Sequence, residues 1–155
     1  MKDGFVKAAA ASPVIRVADP DYNSDQILAC IRRSYESGVR ILVFPELSLT
    51  GCSCLDLFTH RVLLKGAERA LLRLADATEG MDMLTFVGLP LLVGSKVFSV
   101  AAALYDGEIL ALIPNEDSAD GYFSVPAPDT AMEIDLDGYG LVPLTADVLF
   151  DHAAL

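Results

Sequence analysis

Residues 40–58, RILVFPELSLTGCSCLDLF, decide the fold and the chemistry that this sequence predicts. The stretch opens with the aliphatic and aromatic run 41–44, which is typical of a strand buried on both faces. Pro45 predicts the end of that strand, because proline donates no hydrogen bond to a sheet. Glu46 follows at once, at the carboxyl end of a buried strand, where open α/β sheets bind their ligands. A carboxylate there serves either catalysis or capping and solvation, and the residues by themselves leave both open.

The composition predicts one folded domain and excludes several classes of protein. The chain has 155 residues, of which 53% are hydrophobic and 21% charged, so it can bury a substantial core. Its net charge of −11 argues against a nucleic-acid partner, because binding to phosphates needs a basic surface. No apolar run approaches the roughly 20 residues that span a bilayer, and the N-terminus lacks the pattern of a signal peptide. We therefore expect a cytoplasmic protein with no membrane partner.

The first half of the chain predicts a right-handed βαβ unit. Residues 5–11 read as a buried strand, and a helix is expected from an N-cap at Asn23 or Ser24 to Ser37, with Gly38 as its stop. The strand before Glu46 completes the unit.

The second half predicts a helix and then antiparallel strands. Residues 55–77 are expected to be mostly helical, with an apolar stripe at helical spacing from Leu63 to Ala75. Pro90 is expected to close the strand that follows. Asp106-Gly107 is a strong hairpin signal. A polar surface loop is expected at residues 116–129, and strands at residues 83–89, 91–93, 96–105, 108–113, 131–136 and 141–144.

The three cysteines predict neither a disulfide framework nor a metal site. Cys30 lies beside the apolar stripe of the first helix and reads as a core or boundary thiol. Cys52 and Cys54 would make half of a zinc site, but no second cysteine pair follows and His60 is the only histidine nearby. We expect no metal, and we expect His60 to be a surface or capping residue.

Four segments resemble the first catalytic motif of the nitrilase (carbon-nitrogen hydrolase) superfamily. They are residues 44–47 (FPEL), 49–51 (LTG), Cys54 and 56–58 (DLF). Within that superfamily the likeness is greatest to the N-terminal glutaminase domains of glutamine-dependent NAD synthetases, which also have segments similar to residues 1–7 (MKDGFVK) and 88–90 (GLP). The resemblance implies an α/β fold, the nitrilase-type α/β sandwich with a mixed sheet, here incomplete because its later strands are absent.

The resemblance also implies a catalytic set of glutamate, lysine and cysteine. Glu46 matches the glutamate, which acts as general base. The lysine follows a hydrophobic residue and a proline, and the matching segment Ile113-Pro114 is followed here by Asn115. The nucleophilic cysteine comes after a region similar to residues 146–150, so it is not present in this chain. We do not expect Cys52 or Cys54 to replace it, because attack requires alignment within about 3 Å of the base and the oxyanion site.

We therefore expect residues 1–155 to form a partial carbon-nitrogen hydrolase (glutaminase) domain with the synthetase domain absent. The resemblance implies glutamine as the substrate of the intact enzyme, and ATP and magnesium for the missing domain, with no cofactor in this chain. The chain by itself should be inactive and should associate as a homo-oligomer through its exposed sheet. The alternative is a non-catalytic, nitrilase-like interaction or scaffolding module. A third interpretation is a piece of an amidase or nitrilase outside NAD synthesis.

Overall fold

The computed structural model describes residues 5–117, 121–127 and 131–150. Its elements, in chain order, are β1 (Ala8–Ala10), α1 (Pro20–Glu36), β2 (Ile41–Val43), a 3₁₀ segment (Cys52–Thr59), α2 (Arg61–Asp76), β3 (Leu84–Val93), β4 (Lys96–Tyr105), β5 (Glu108–Pro114), β6 (Ala131–Leu136) and β7 (Gly140–Thr145). Within the described residues no helix is both long and apolar enough to cross a bilayer.

The seven strands form one mixed sheet in the order β1-β2-β3-β4-β5-β7-β6. The first three strands run parallel, as βαβ connections require. The strands β3, β4 and β5 form an antiparallel meander, and β7 pairs parallel to β5 and antiparallel to β6. This arrangement confirms the predicted α/β fold with a mixed sheet.

Both helices pack on the same face of the sheet. Ile27 and Ile31 of α1 and Leu71 of α2 are fully buried in one core cluster. That cluster includes Val87 and Leu89 of β3, and side chains alternate along a strand. The intervening residues of β3 therefore face the opposite side of the sheet, where no helix of the described chain lies.

The start of α1 differs from the prediction. The N-cap is Asp19, not Asn23 or Ser24, and its side chain accepts a hydrogen bond from the main-chain N of Tyr22 at 3.1 Å. Pro20 stands at the first helical position, where its missing N–H is no loss and its fixed φ suits the helix. The preceding strand is also shorter than residues 5–11: it covers only Ala8–Ala10 and is largely exposed, not buried as predicted.

The predicted helix over residues 55–77 begins too early. Leu55 has a left-handed φ of 51°, which an α-helix does not accommodate, so the chain forms a kinked 3₁₀ segment before α2 starts at Arg61. His60 stands at the N-cap of α2 and is exposed, and its side chain makes no capping hydrogen bond.

Pro90 does not end β3, which continues to Val93. The carbonyl of Gly88 faces away from β4, since it accepts a hydrogen bond from Leu49 N at 3.1 Å. Residues two apart point the same way along a strand, so the missing N–H of Pro90 also faces away from β4. The strand on that side of β3 is β2, which has already ended at Val43, so no ladder hydrogen bond is lost at Pro90.

The predicted surface loop at residues 116–129 is packed in its middle. Phe123 is only 9% exposed, and its ring centroid lies 4.8 Å from that of Phe58. Ser124 N donates to Val97 O at 2.7 Å, which fixes this part of the loop beside β4. Residues 118–120 and 128–129 of the predicted loop lie outside the described residues.

A charged clasp joins α2 to the turn between β6 and β7. Lys65 Nζ donates to Asp137 Oδ2 at 2.8 Å and to Glu68 Oε2 at 3.0 Å, and Glu68 Oε1 accepts from Asp137 N at 3.0 Å. The hydrogen bond from Lys65 lowers the pKa of Asp137, and the same bond raises the pKa of Lys65.

We predict that Lys65→Met returns the pKa of Asp137 toward the ordinary aspartate value of about 3.9. Because the folded-state pKa of Asp137 lies below its unfolded value, the clasp stabilises the fold above the unfolded pKa and is lost as pH falls through the folded one. An NMR titration of the carboxyl carbon measures this, with Lys96→Met as the control. An unchanged pKa of Asp137 in Lys65→Met would contradict an interaction between Lys65 and Asp137 in solution.

Candidate active site around Glu46

Glu46 lies just beyond the carboxyl end of β2, in a loop that folds across β3. Two main-chain hydrogen bonds hold this loop: Phe44 N donates to Phe86 O at 3.0 Å, and Leu49 N donates to Gly88 O at 3.1 Å. Glu46 lies between these two anchors and its side chain is exposed to solvent. The structure therefore places Glu46 where the sequence predicted it, at the end of a strand.

The loop approaches β3 so closely that position 88 requires glycine. A Cβ atom built on Gly88 would lie 2.5 Å from Leu47 N, 2.7 Å from Pro45 O and 2.9 Å from the carbonyl carbon of Glu46. All three are main-chain atoms, which cannot rotate away as the end of a flexible side chain does. The absence of a side chain at Gly88 therefore allows the backbone around Glu46 to pack directly against β3.

Two neutral donors hold the Glu46 carboxylate. Ser99 Oγ of β4 donates to Glu46 Oε1 at 2.6 Å, and Asn115 Nδ2, just after β5, donates to the same oxygen at 2.9 Å. Asn115 Oδ1 accepts from Asp117 N at 2.9 Å, which fixes the orientation of its amide. Asn115 N also donates to Ser99 O at 2.8 Å, so the two donors are fixed relative to each other.

A cavity of about 300 Å³ opens beside this carboxylate, on the face of the sheet opposite the helices. Its polar lining comes from Glu46, Ser99 and Asn115. Apolar side chains and main chain form the rest of the wall, contributed by Val43, Phe44, Phe86, Gly88, Val100, Ala101, Ile113 and Pro114. A concave, mainly apolar pocket with a few convergent polar groups is the usual form of a small-molecule site.

Asn23 braces the Glu46 loop from behind. Its side chain is fully buried and donates to Leu49 O at 3.0 Å. The same amide accepts from Arg16 N and donates to Arg16 O, both at 2.7 Å. Ala18 N donates to Thr50 O at 2.8 Å, so the segment before α1 is tied to the loop at two points.

None of the three cysteines contacts the Glu46 carboxylate within the described residues. Cys54 is 2% exposed, its Sγ donates to Thr50 O at 3.2 Å, and burial raises the pKa of its thiol. Cys52 is exposed, and its Sγ donates to the main-chain O of Glu46 at 3.7 Å and not to the carboxylate. Cys30 is half-buried in α1. No group of three metal-binding side chains occurs in the part of the chain that the structure describes.

The sequence identified two of the three polar side chains at this site. Glu46 and Asn115, which are 69 residues apart in sequence, are brought together as the motif resemblance implied. Ser99 was missed, although one signal was present: it is the single hydroxyl residue in the otherwise apolar core of β4, VFSVAAAL. The brace by Asn23 was also missed, because that residue was read as a helix cap.

Comparison with known proteins gives a consistent result, although no family model matches the chain. Glutamine-dependent NAD(+) synthetase from Mycobacterium tuberculosis is 34% identical over 113 residues, which are 72% of this chain and 16% of the relative. The crystal structure of such a synthetase from Cytophaga hutchinsonii superposes with a TM-score of 0.86 at 20% identity, over 94% of this chain and 26% of the other. An amidase of the nitrilase superfamily from Nesterenkonia gives a TM-score of 0.67 at 20% identity, over 83% of this chain and 51% of the amidase.

The fold is that of the nitrilase (carbon-nitrogen hydrolase) superfamily. Within that superfamily, the chain is a homologue of the glutamine-dependent NAD(+) synthetases and corresponds to a part of them that has the nitrilase fold. It spans about a sixth of the length of the mycobacterial relatives that it matches.

We predict that Gly88→Ala destabilises the protein by about 1–3 kcal/mol, because the new methyl group must displace the main chain around Glu46. Gly66→Ala is the matched control: position 66 is helical, and a Cβ there meets its nearest atom, Pro20 Cγ, at an ordinary 3.5 Å. The control should stabilise by up to about 1 kcal/mol through helix propensity. Urea unfolding measures both, and equal effects of the two substitutions would contradict the close approach.

Proposed function

We propose that this chain forms part of the glutaminase domain of a glutamine-dependent NAD synthetase, and that Glu46 is its general base. The observation that carries the proposal is the Glu46 carboxylate, oriented by two donors at the edge of a pocket. The nitrilase-type fold and the sequence similarity to the synthetases support it.

The arrangement of Glu46 suits a base. Both hydrogen bonds go to Oε1, so that oxygen is fixed by Ser99 and Asn115. Within the described residues, no hydrogen bond is made to Oε2, which leaves this oxygen as the acceptor for a proton. In the proposed reaction it takes the proton of a cysteine thiol as the sulfur attacks the carboxamide of glutamine, and then returns that proton to the departing ammonia.

We further propose that residues 1–155 do not hydrolyse glutamine by themselves. Among the described residues, no cysteine makes a hydrogen bond to the Glu46 carboxylate: Cys54 is buried, Cys30 lies in α1, and Cys52 Sγ donates to the main-chain O of Glu46. Asn115, at the position of the family lysine, carries no charge to stabilise an oxyanion. Loss of such a stabiliser costs roughly 3–4 kcal/mol of barrier.

In this proposal, a nucleophilic cysteine and a synthetase domain lie outside residues 1–155. The synthetase domain would use the ammonia for the ATP-dependent amidation of nicotinic acid adenine dinucleotide. The open face of the sheet, where Val43 is 44% exposed, supports association with further protein, either more of the same domain or a second copy.

The second candidate function is a non-catalytic interaction or scaffolding module. The observation that favours it is the pair of neutral partners on Glu46, because neither Ser99 nor Asn115 can supply a positive charge. In this case the carboxylate and pocket would be retained for binding alone.

We predict that a native protein containing residues 1–155 within a longer chain hydrolyses glutamine, and that Glu46→Gln lowers its kcat/KM by about 10²–10⁴-fold. Glu36→Gln, at the exposed end of α1, is the control and should leave kcat/KM unchanged. The measurement is glutamate release at fixed glutamine concentration. A native reading frame that stops at Leu155, or a native protein that does not hydrolyse glutamine, would favour the scaffolding module.

We predict that the 155-residue chain alone releases no ammonia from glutamine above the level of its own Glu46→Gln variant. The reason is that no described thiol is placed to attack beside Glu46. A sensitive coupled assay for ammonia checks this. A rate that disappears in Glu46→Gln would refute the proposed inactivity and would make Cys52 the residue to replace next.

A further inference from the structure

The pocket beside Glu46 has an unbalanced negative charge. Among the described residues that line it, Glu46 is the one charged side chain. It makes no ion pair within residues 5–117, 121–127 and 131–150, and its two hydrogen-bond partners, Ser99 and Asn115, are neutral. A carboxylate in such surroundings attracts a cation from solution, and the net charge of −11 on the chain adds to that attraction.

The hydrogen bonds determine which part of the carboxylate a ligand can reach. Ser99 and Asn115 both donate to Oε1, and Ser99 is 3% exposed, so this oxygen is already engaged by two donors. Oε2 accepts nothing from the described residues and is the position for a new donor. The Asn115 carbonyl is already engaged by Asp117 N, so it does not compete for that donor.

The walls of the pocket favour a cation with an apolar body over a hydrated metal ion. Val43, Ala101 and Ile113 supply aliphatic surface, and Phe86 supplies an aromatic ring that also packs against Phe150, with the two ring centroids 5.7 Å apart. The cavity of about 300 Å³ is at the small end of the range for ligand pockets. A short alkyl chain that ends in a primary ammonium group combines these properties.

We propose that this pocket binds a small primary alkylammonium ion, with the ammonium group donating to Glu46 Oε2 and the alkyl chain lying against the apolar wall. Binding of this kind needs neither a thiol nor hydrolysis, and it therefore does not depend on the proposed glutaminase function.

The test is an NMR titration of the 155-residue chain with n-butylammonium chloride, at an ionic strength kept constant with sodium chloride. We expect saturable shifts of the main-chain amides of Ser99, Ala101 and Asn115, with a dissociation constant on the order of millimolar, because the carboxylate is accessible to water. The neutral isostere n-butanol should bind about tenfold more weakly.

Two variants locate the ion. Glu46→Gln should weaken binding of n-butylammonium by about tenfold, because it removes the charge and keeps the shape. Asn115→Lys should abolish binding, because its own ammonium group then reaches the carboxylate. Glu36→Gln, an exposed glutamate outside the pocket, is the matched control and should bind as the wild type does.

The proposal fails if n-butanol binds as well as n-butylammonium, since the pocket then selects only apolar shape. It also fails if no shift saturates, or if Glu46→Gln and Glu36→Gln bind alike. Preferential binding of butyramide would overturn the ammonium site while supporting an amide-hydrolysing function. Comparison of these three ligands on the wild-type chain decides the matter even if a variant does not fold.

Discussion

The site depends on the close approach of the Glu46 loop to β3 at Gly88. The main-chain atoms of the loop leave no room for a Cβ atom at that position. Hydrogen bonds from Phe44 N and Leu49 N to β3 anchor the loop on either side of Glu46, and the buried amide of Asn23 holds it from behind. Because the backbone is fixed in this way, the carboxylate can be reached by side chains from two further strands.

Those side chains come from different strands, so the site is assembled by the sheet and not by one sequence motif. Ser99 is on β4 and Asn115 follows β5, and both contact Glu46 only because the meander aligns position 100 with position 114. Both are neutral, so the carboxylate is oriented but its charge is not balanced. This combination supports the two proposals: that Glu46 acts as a general base, and that the pocket binds an alkylammonium ion.

Much of this could be predicted from local sequence, and the failures have physical reasons. The position of Glu46 followed from an apolar run ended by proline, although that run is not buried on both faces, because Val43 is 44% exposed. Asn115 followed from the motif resemblance. Ser99 is marked in the sequence as the single hydroxyl residue in an apolar run, but its contact with Glu46 could not be predicted, because that contact depends on strand register over 53 residues. The left-handed φ at Leu55 was also hidden, since no glycine or proline between Leu55 and Arg61 marks a break in the helix.

The prediction that β3 ends at Pro90 failed for a related reason. A proline interrupts a sheet only where its N–H is needed, and that depends on which strand lies beside it. Here β2 ends at Val43, so no described strand lies beside the edge of β3 at which Pro90 lacks an N–H, and no hydrogen bond is lost. Proline does lack the N–H that a strand ladder uses, but the neighbouring strand decides whether the sheet ends there.

The central claim is that Asn115 and Ser99 orient the Glu46 carboxylate. The most direct measurement is the ¹H–¹⁵N spectrum of the Asn115 side-chain amide, in the wild type and in Glu46→Ala. The account predicts one Asn115 amide proton that is shifted downfield and exchanges slowly with solvent, and that loses both properties when Glu46 is replaced. An Asn115 amide signal that is the same in both proteins would contradict the account.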